Sequence, residues 1–76
     1  MINMKIPLKR KSNIIIDTNN IKEITPVSYY EYPDVYTQSW FTFSVIYNDG
    51  KNIPLYYDTE QMAEEDRNFL LEKLNF

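Results

Sequence analysis

The sequence predicts an α+β fold: a three- to four-stranded antiparallel meander with one C-terminal helix packed on one face. Two patterns carry this. From Trp40 to Tyr57, apolar and polar residues alternate with a period of two on either side of an Asn-Asp-Gly turn, as in a half-buried hairpin. From Met62 to Leu74, apolar residues recur with the period of a helix. The chain is a single domain over 1–76, divided into a basic N-terminal arm or edge strand (1–12), a meander (13–57) and a helix (59–74).

Residues 1–12 have no clear period, and Pro7 blocks a helix. Met4, Ile6 and Leu8 alternate, so the arm is able to join a sheet edge. Asn13 to Ile16 is β-branched and predicts a first strand. Asp17, Thr18, Asn19 and Asn20 are turn formers. Ile21 to Tyr32 is a second extended segment with poor alternation. A one-residue bulge at Pro26 would let Ile24 and Val27 face the same side. Pro33 to Gln38 is a loop.

Ser39 to Tyr47 and Lys51 to Tyr57 form the third and fourth strands. A two-residue loop would put their apolar rows on opposite faces. A three-residue Asn48–Gly50 loop pairs Val45 with Ile53, Phe43 with Leu55 and Phe41 with Tyr57, so that all share one face. Burial selects this second register, with Gly50 in the left-handed position. Pro54 limits the fourth strand to a sheet edge, or leaves its nitrogen facing away from a neighbour.

The helix is capped by Asp58 or Thr59, with Asp58 and Gln61 spaced as in a capping box, and Glu60 suits the positive end of its dipole. Its apolar stripe is Met62, Ala63, Phe69, Leu70 and Leu74, with Leu71 at the margin. Gln61, Glu64, Glu65, Asn68 and Glu72 fall on the opposite side. Asp66 sits near the stripe and needs a partner, either Arg67 or a backbone donor.

Composition narrows the chemistry. There is no cysteine, no histidine and one glycine. Disulfides, His/Cys zinc sites, Ser-His and Cys-His catalytic units and glycine-rich phosphate loops are excluded. Glu64, Glu65 and Asp66 fit a solvated helix face. Asp17, Asp34 and Asp49 do not have the spacing of an EF-hand loop. No enzyme activity, cofactor or metal is expected. No stretch approaches the length of a membrane span, and the chain is expected to be soluble and cytoplasmic. Lys5, Lys9, Arg10 and Lys11 all precede the first acid, Asp17, and the remainder is strongly acidic, for a net charge of −3. The bland account of the arm is that these charges keep a loose N-terminus soluble. Frequent Asn, Ile, Tyr and Lys suit AT-rich codons, as in a low-GC bacterium or a phage infecting one.

The tryptophan and every tyrosine lie between Tyr29 and Tyr57. Tyr29, Tyr30, Tyr32 and Tyr36, with Glu31 and Asp34, surround Pro33. Tyrosine gives large contact area at low entropic cost, and the acids favour a basic partner. Trp40 and Tyr56, with Ile46, have the parity that points away from the helix and would extend a contact rim across the open sheet face. The structural alternative is cross-strand stacking, or cover by the N-terminal arm.

The stretches IIIDTNNIKEI and FSVIYNDGKNIPL, followed by an acid-rich helix ending LLEKL, resemble many small bacterial and phage proteins built from a meander and a C-terminal helix. Some small acidic phage proteins inhibit host defence by occupying a protein surface. That resemblance implies a class of function and no residue-level role. The expected function is therefore a non-enzymatic protein-binding module, with a phage-encoded inhibitor in the host cytoplasm as its sharpest form. Two alternatives stand beside it. One is nucleic-acid or nucleotide binding, with Trp40 and Tyr56 stacking bases and Lys5, Lys9, Arg10 and Lys11 meeting phosphates, against which the acidic body argues. The other is a homodimer paired through the sheet face or edge.

Overall fold

A computed structural model describes residues 5–31 and 39–74, with all of their side chains except those of Glu31 and Ser39. The elements are β1 (Lys5–Pro7), β2 (Ile15–Asp17), β3 (Ile21–Ile24), β4 (Ser28–Glu31), β5 (Ser39–Tyr47), β6 (Asn52–Tyr57) and α1 (Glu60–Leu74). The fold class is α+β, and every strand pairing is antiparallel. The long strand β5 is the axis of a four-stranded sheet. β6 lies along one side of it, and β3 and β4 lie end to end along the other.

The β5–β6 hairpin has the three-residue loop. Val45 faces Ile53, Phe43 faces Leu55 and Phe41 faces Tyr57. The N–H of Gly50 donates to Tyr47 O at 2.9 Å, and the N–H of Tyr47 donates to Lys51 O at 2.8 Å. Gly50 has φ +91° and closes the loop where an L side chain is disfavoured. A Cβ there would meet nothing within 4 Å, so the penalty of adding one is purely conformational. Gly50→Ala is expected to lower stability by about 1–2 kcal/mol in urea titration, with Gly50→Asn recovering part of the loss.

The second extended segment is bulged, as Pro26 suggested. Ile24 faces Val45 and Ser28 faces Thr42, so Thr25, Pro26 and Val27 span only Phe43 and Ser44. Thr25 N donates to Ser44 O at 2.9 Å, and Ser44 N donates to Thr25 Oγ1 at 2.7 Å. Ile24 is buried and Val27 packs against the same core. The helix supports this bulge, because Arg67 Nε donates to Thr25 O at 2.8 Å. A second register shift falls between Ile21 and Glu23.

The N-terminus departs from expectation. Asn13–Ile16 is not the first strand of the meander, and residues 5–11 are not a loose arm. β1 and β2 form a separate two-stranded sheet, with Ile6 facing Ile16. This hairpin shares the covered face of the large sheet with the helix. Ile6, Leu8 and Ile16 are buried in one core with Ile24, Phe43, Val45, Tyr47, Leu55, Tyr57, Ala63 and Leu70. The apolar faces of the large sheet, the helix and the small hairpin thus close one core.

Thr59, rather than Asp58, caps the helix, its Oγ1 accepting from Met62 N at 3.2 Å. Asp66 is fully buried and satisfied on both oxygens. Oδ1 accepts from the backbone N–H of Arg10 at 2.8 Å, and Oδ2 accepts from the Tyr57 hydroxyl at 2.7 Å. The expected backbone donor is there; Arg67 is occupied elsewhere. Glu65 does not lie on a purely solvated face, because the Arg10 guanidinium grips its carboxylate at 2.7 Å. That hydrogen bond, with the charges of Arg10 and Lys9, holds the Glu65 carboxyl below the usual range.

Candidate functional site

Strand parity divides the large sheet into two chemically different faces. Phe43, Val45 and Tyr47 of β5 point into the core. Trp40, Thr42, Ser44 and Ile46 have the opposite parity. The register sets Tyr30 opposite Trp40, Tyr56 opposite Thr42, Pro54 opposite Ser44, and both Glu23 and Asn52 opposite Ile46. None of these outward residues is buried. Tyr30 and Tyr56 are each 45% exposed, and Trp40, half-buried, lies between them: across from Tyr30 and diagonal to Tyr56. Among the described residues the helix and the small hairpin both lie on the other face.

The sequence-predicted rim is only partly assembled. Tyr30, Trp40 and Tyr56 come together on the outward face. Tyr29 has the other parity. It faces Phe41, their ring centroids 5.3 Å apart and tilted by 58°, and stays 57% exposed. Adjacent tyrosines on a strand are thus sent to opposite sides. Glu31 pairs with Ser39 along the backbone. Tyr32, Asp34 and Tyr36 lie outside the described residues.

The basic residues do not join the aromatic face. Arg10 is bound to Glu65 on the helix. Lys11 Nζ lies 4.8 Å from the ring centroid of Tyr57, a core-facing ring. Lys5 and Lys9 are exposed on the N-terminal hairpin side. Cations and outward aromatics are separated by the sheet.

The edges of the large sheet resist strand addition. Tyr47 and Lys51 form a hydrogen-bonded pair, so alternation puts Pro54 at a non-hydrogen-bonded position, its nitrogen turned to the outer edge. The opposite edge carries Pro26 and both register shifts. Prolines and bulges are how natural sheets discourage edge pairing, so these two edges are poor templates for an added strand.

A second concave region lies at the far end of β5. A groove of about 550 Å³ is lined by Ile15, Asp17, Asn19, Asn20, Tyr47, Asn48, Asp49, Lys51 and Ile53. In the sequence these residues carry only turn and strand signals, because the groove exists only once two turns meet. No group of three or more acidic, His or Cys side chains among the described residues is placed to hold a metal ion. None of the described helices is long and apolar enough to cross a membrane.

Fold and surface together define a class: a small α+β domain with one doubly covered sheet face and one aromatic face that no other described helix or strand covers. Compared with protein-family models, curated proteins and solved structures, the chain matches none of them.

Proposed function

We propose that the protein is a non-enzymatic binding module that docks onto another protein through its outward sheet face. The observation that carries this is the Tyr30–Trp40–Tyr56 cluster, flanked by Ile46 and Pro54, on the face that neither helix nor hairpin covers. Tyr and Trp dominate binding hot spots, and apolar patches on small soluble domains mark contact surfaces. The acidic body and Glu23 on this face favour a partner with a basic patch. Steric occupation of a partner's surface is the mechanism, consistent with a phage-encoded inhibitor acting in the host cytoplasm. Nucleic-acid binding has less support, because the cations it needs lie across the sheet from the aromatics.

The test is affinity capture from a bacterial lysate with wild type and a Trp40→Ala/Tyr56→Ala variant of unchanged circular dichroism. Truncating hot-spot aromatics costs about 2 kcal/mol or more each, so the variant should lose the captured protein. Equal capture by both would remove the face from function. Light scattering separates the readings that use this face: a concentration-dependent dimer dissolved by the same double variant would mean self-association.

A further inference from the structure

The groove at the turn end of the molecule lies about 20 Å along β5 from Trp40, and on the opposite face. Among the described residues the two sheets have four outer strand edges, and three carry a proline. Pro54 sits on the outer edge of β6 and Pro26 in the bulged β3–β4 edge. On the small hairpin, Leu8 N donates to Ile14 O at 3.1 Å. With the register Ile6↔Ile16 and Pro7↔Ile15, alternation makes Pro7/Ile15 a non-hydrogen-bonded pair. Pro7 therefore turns its nitrogen to the outer edge of β1. Among the described residues the fourth edge, that of β2, has no proline and no register shift.

The same alternation turns the N–H and C=O of Ile15 and Asp17 away from β1. Tyr47, in the groove, donates its hydroxyl to Asp17 O at 2.7 Å, which fixes the direction of this edge: it faces the groove. Ile15, on the same parity, is 61% exposed, with Ile53 also lining the groove. The walls are held before any ligand arrives. Asn48 N donates to Asn20 O at 2.8 Å, Asn19 N to Asp17 Oδ1 at 2.9 Å, and Lys51 N to Asp49 Oδ1 at 2.9 Å. Asp17 and Asp49 outweigh Lys51 in charge, and Asn19, Asn20 and Asn48 add amide groups.

We infer that this groove binds an extended, basic segment of another protein, which adds to the free edge of β2 through the N–H and C=O of Ile15. Its apolar or small side chains rest on Ile15 and Ile53, and its Lys or Arg side chains meet Asp17 and Asp49. Strand addition supplies affinity through the main chain and specificity through alternate side chains. A volume of about 550 Å³ suits such a segment and lies within the common range of ligand clefts.

The test uses the full chain labelled with ¹⁵N and two end-blocked octapeptides, one of alternating Thr-Lys and one of alternating Thr-Glu. The Thr-Lys peptide should shift the amide resonances of Ile15, Asp17, Asn20, Asn48, Lys51 and Ile53, and slow hydrogen exchange at Ile15 at least tenfold. The Thr-Glu peptide should do neither. Asp17→Asn/Asp49→Asn keeps the turn-capping oxygens, and should weaken Thr-Lys binding about tenfold or more. Absence of shifts at millimolar peptide, equal response to both peptides, or an Ile15 amide left unprotected would overturn the inference. Shifts confined to Tyr30, Trp40 and Tyr56 would also overturn it, while leaving the outward face as a docking surface.

Discussion

Asp66→Ala is expected to remove a large share of the protein's stability at 25 °C and neutral pH. Asp66 is the one fully buried acid among the described residues, and it ties three elements together. Its carboxylate takes the Arg10 N–H of the N-terminal hairpin and the Tyr57 hydroxyl of β6 while standing on the helix. Removing it strands the buried Tyr57 hydroxyl and the part-buried Arg10 N–H, each worth about 1–3 kcal/mol when left unsatisfied. The total, about 2–6 kcal/mol, is a large share of the roughly 4–11 kcal/mol expected for a domain of this size. Urea titration followed by circular dichroism should place the variant's midpoint at half the wild-type value or lower. Asp66→Asn preserves the acceptor for Arg10 and should lose about 1–2 kcal/mol.

Tyr57→Phe probes the same network from the other side. It keeps the ring stacked on Phe43, 5.8 Å between centroids, and loses only the hydroxyl. Burial, the hydrogen bond to Asp66 and that carboxylate's charge all push the Tyr57 hydroxyl's pKa up. The sign of the linkage follows. Because the folded state holds this proton more tightly, its contribution is complete below the ordinary tyrosine value of about 10 and is lost as pH rises beyond it. Wild type should therefore weaken above about pH 10, and Tyr57→Phe should flatten that decline. Tyr47, whose pKa is raised mainly by burial, keeps a smaller slope in place.

The contrast between what the sequence revealed and what it hid has a physical origin. The β5–β6 register was legible because two independent constraints agreed: the Asn48–Gly50 turn and the alternation of Phe41, Phe43 and Val45 with Leu55 and Tyr57. The bulge at Pro26 was legible for the same reason, since only a one-residue slip puts Ile24 and Val27 on one side. Asp66 was legible as an anomaly, but its backbone donor is 56 residues away, and no local rule reaches that far. Both N-terminal strands left a trace, in the alternation of Ile6 and Leu8 and the β-branched run before Asp17, but their pairing with each other in a separate sheet was hidden, because strands of three residues each are too short to specify a partner. The candidate face was half legible. Trp40 and Tyr56 followed from parity, whereas the division between Tyr29 and Tyr30 required the register of β4 on β5. The groove was not legible at all, because Asp17–Asn20 and Asn48–Asp49 each look complete as turns.

A chain beginning at Asn13 is expected not to fold. Were residues 5–11 a soluble tail, losing them would change charge and little else. Instead, Leu8 and Ile6 are buried, and burying a side chain of that size contributes about 1.5–3 kcal/mol. The truncation also uncovers Ile16 and removes the Arg10 N–H from Asp66, a buried acceptor whose loss costs about 1–3 kcal/mol. Together these reach roughly 4–9 kcal/mol, comparable with the whole stability of the domain. Thermal melts followed by circular dichroism should show a cooperative transition for the full chain and none for the truncated one. Leu8→Ala in the full chain isolates the burial term and should lose about 2–5 kcal/mol. Lys5→Gln/Lys9→Gln isolates the charge. Both side chains are exposed, so the melting midpoint should move by only a few degrees. A truncated chain that melts with the wild-type midpoint would mean that the hairpin decorates a core already closed by sheet and helix. The burial of Leu8 and the grip of Arg10 on both Asp66 and Glu65 argue that it completes the core.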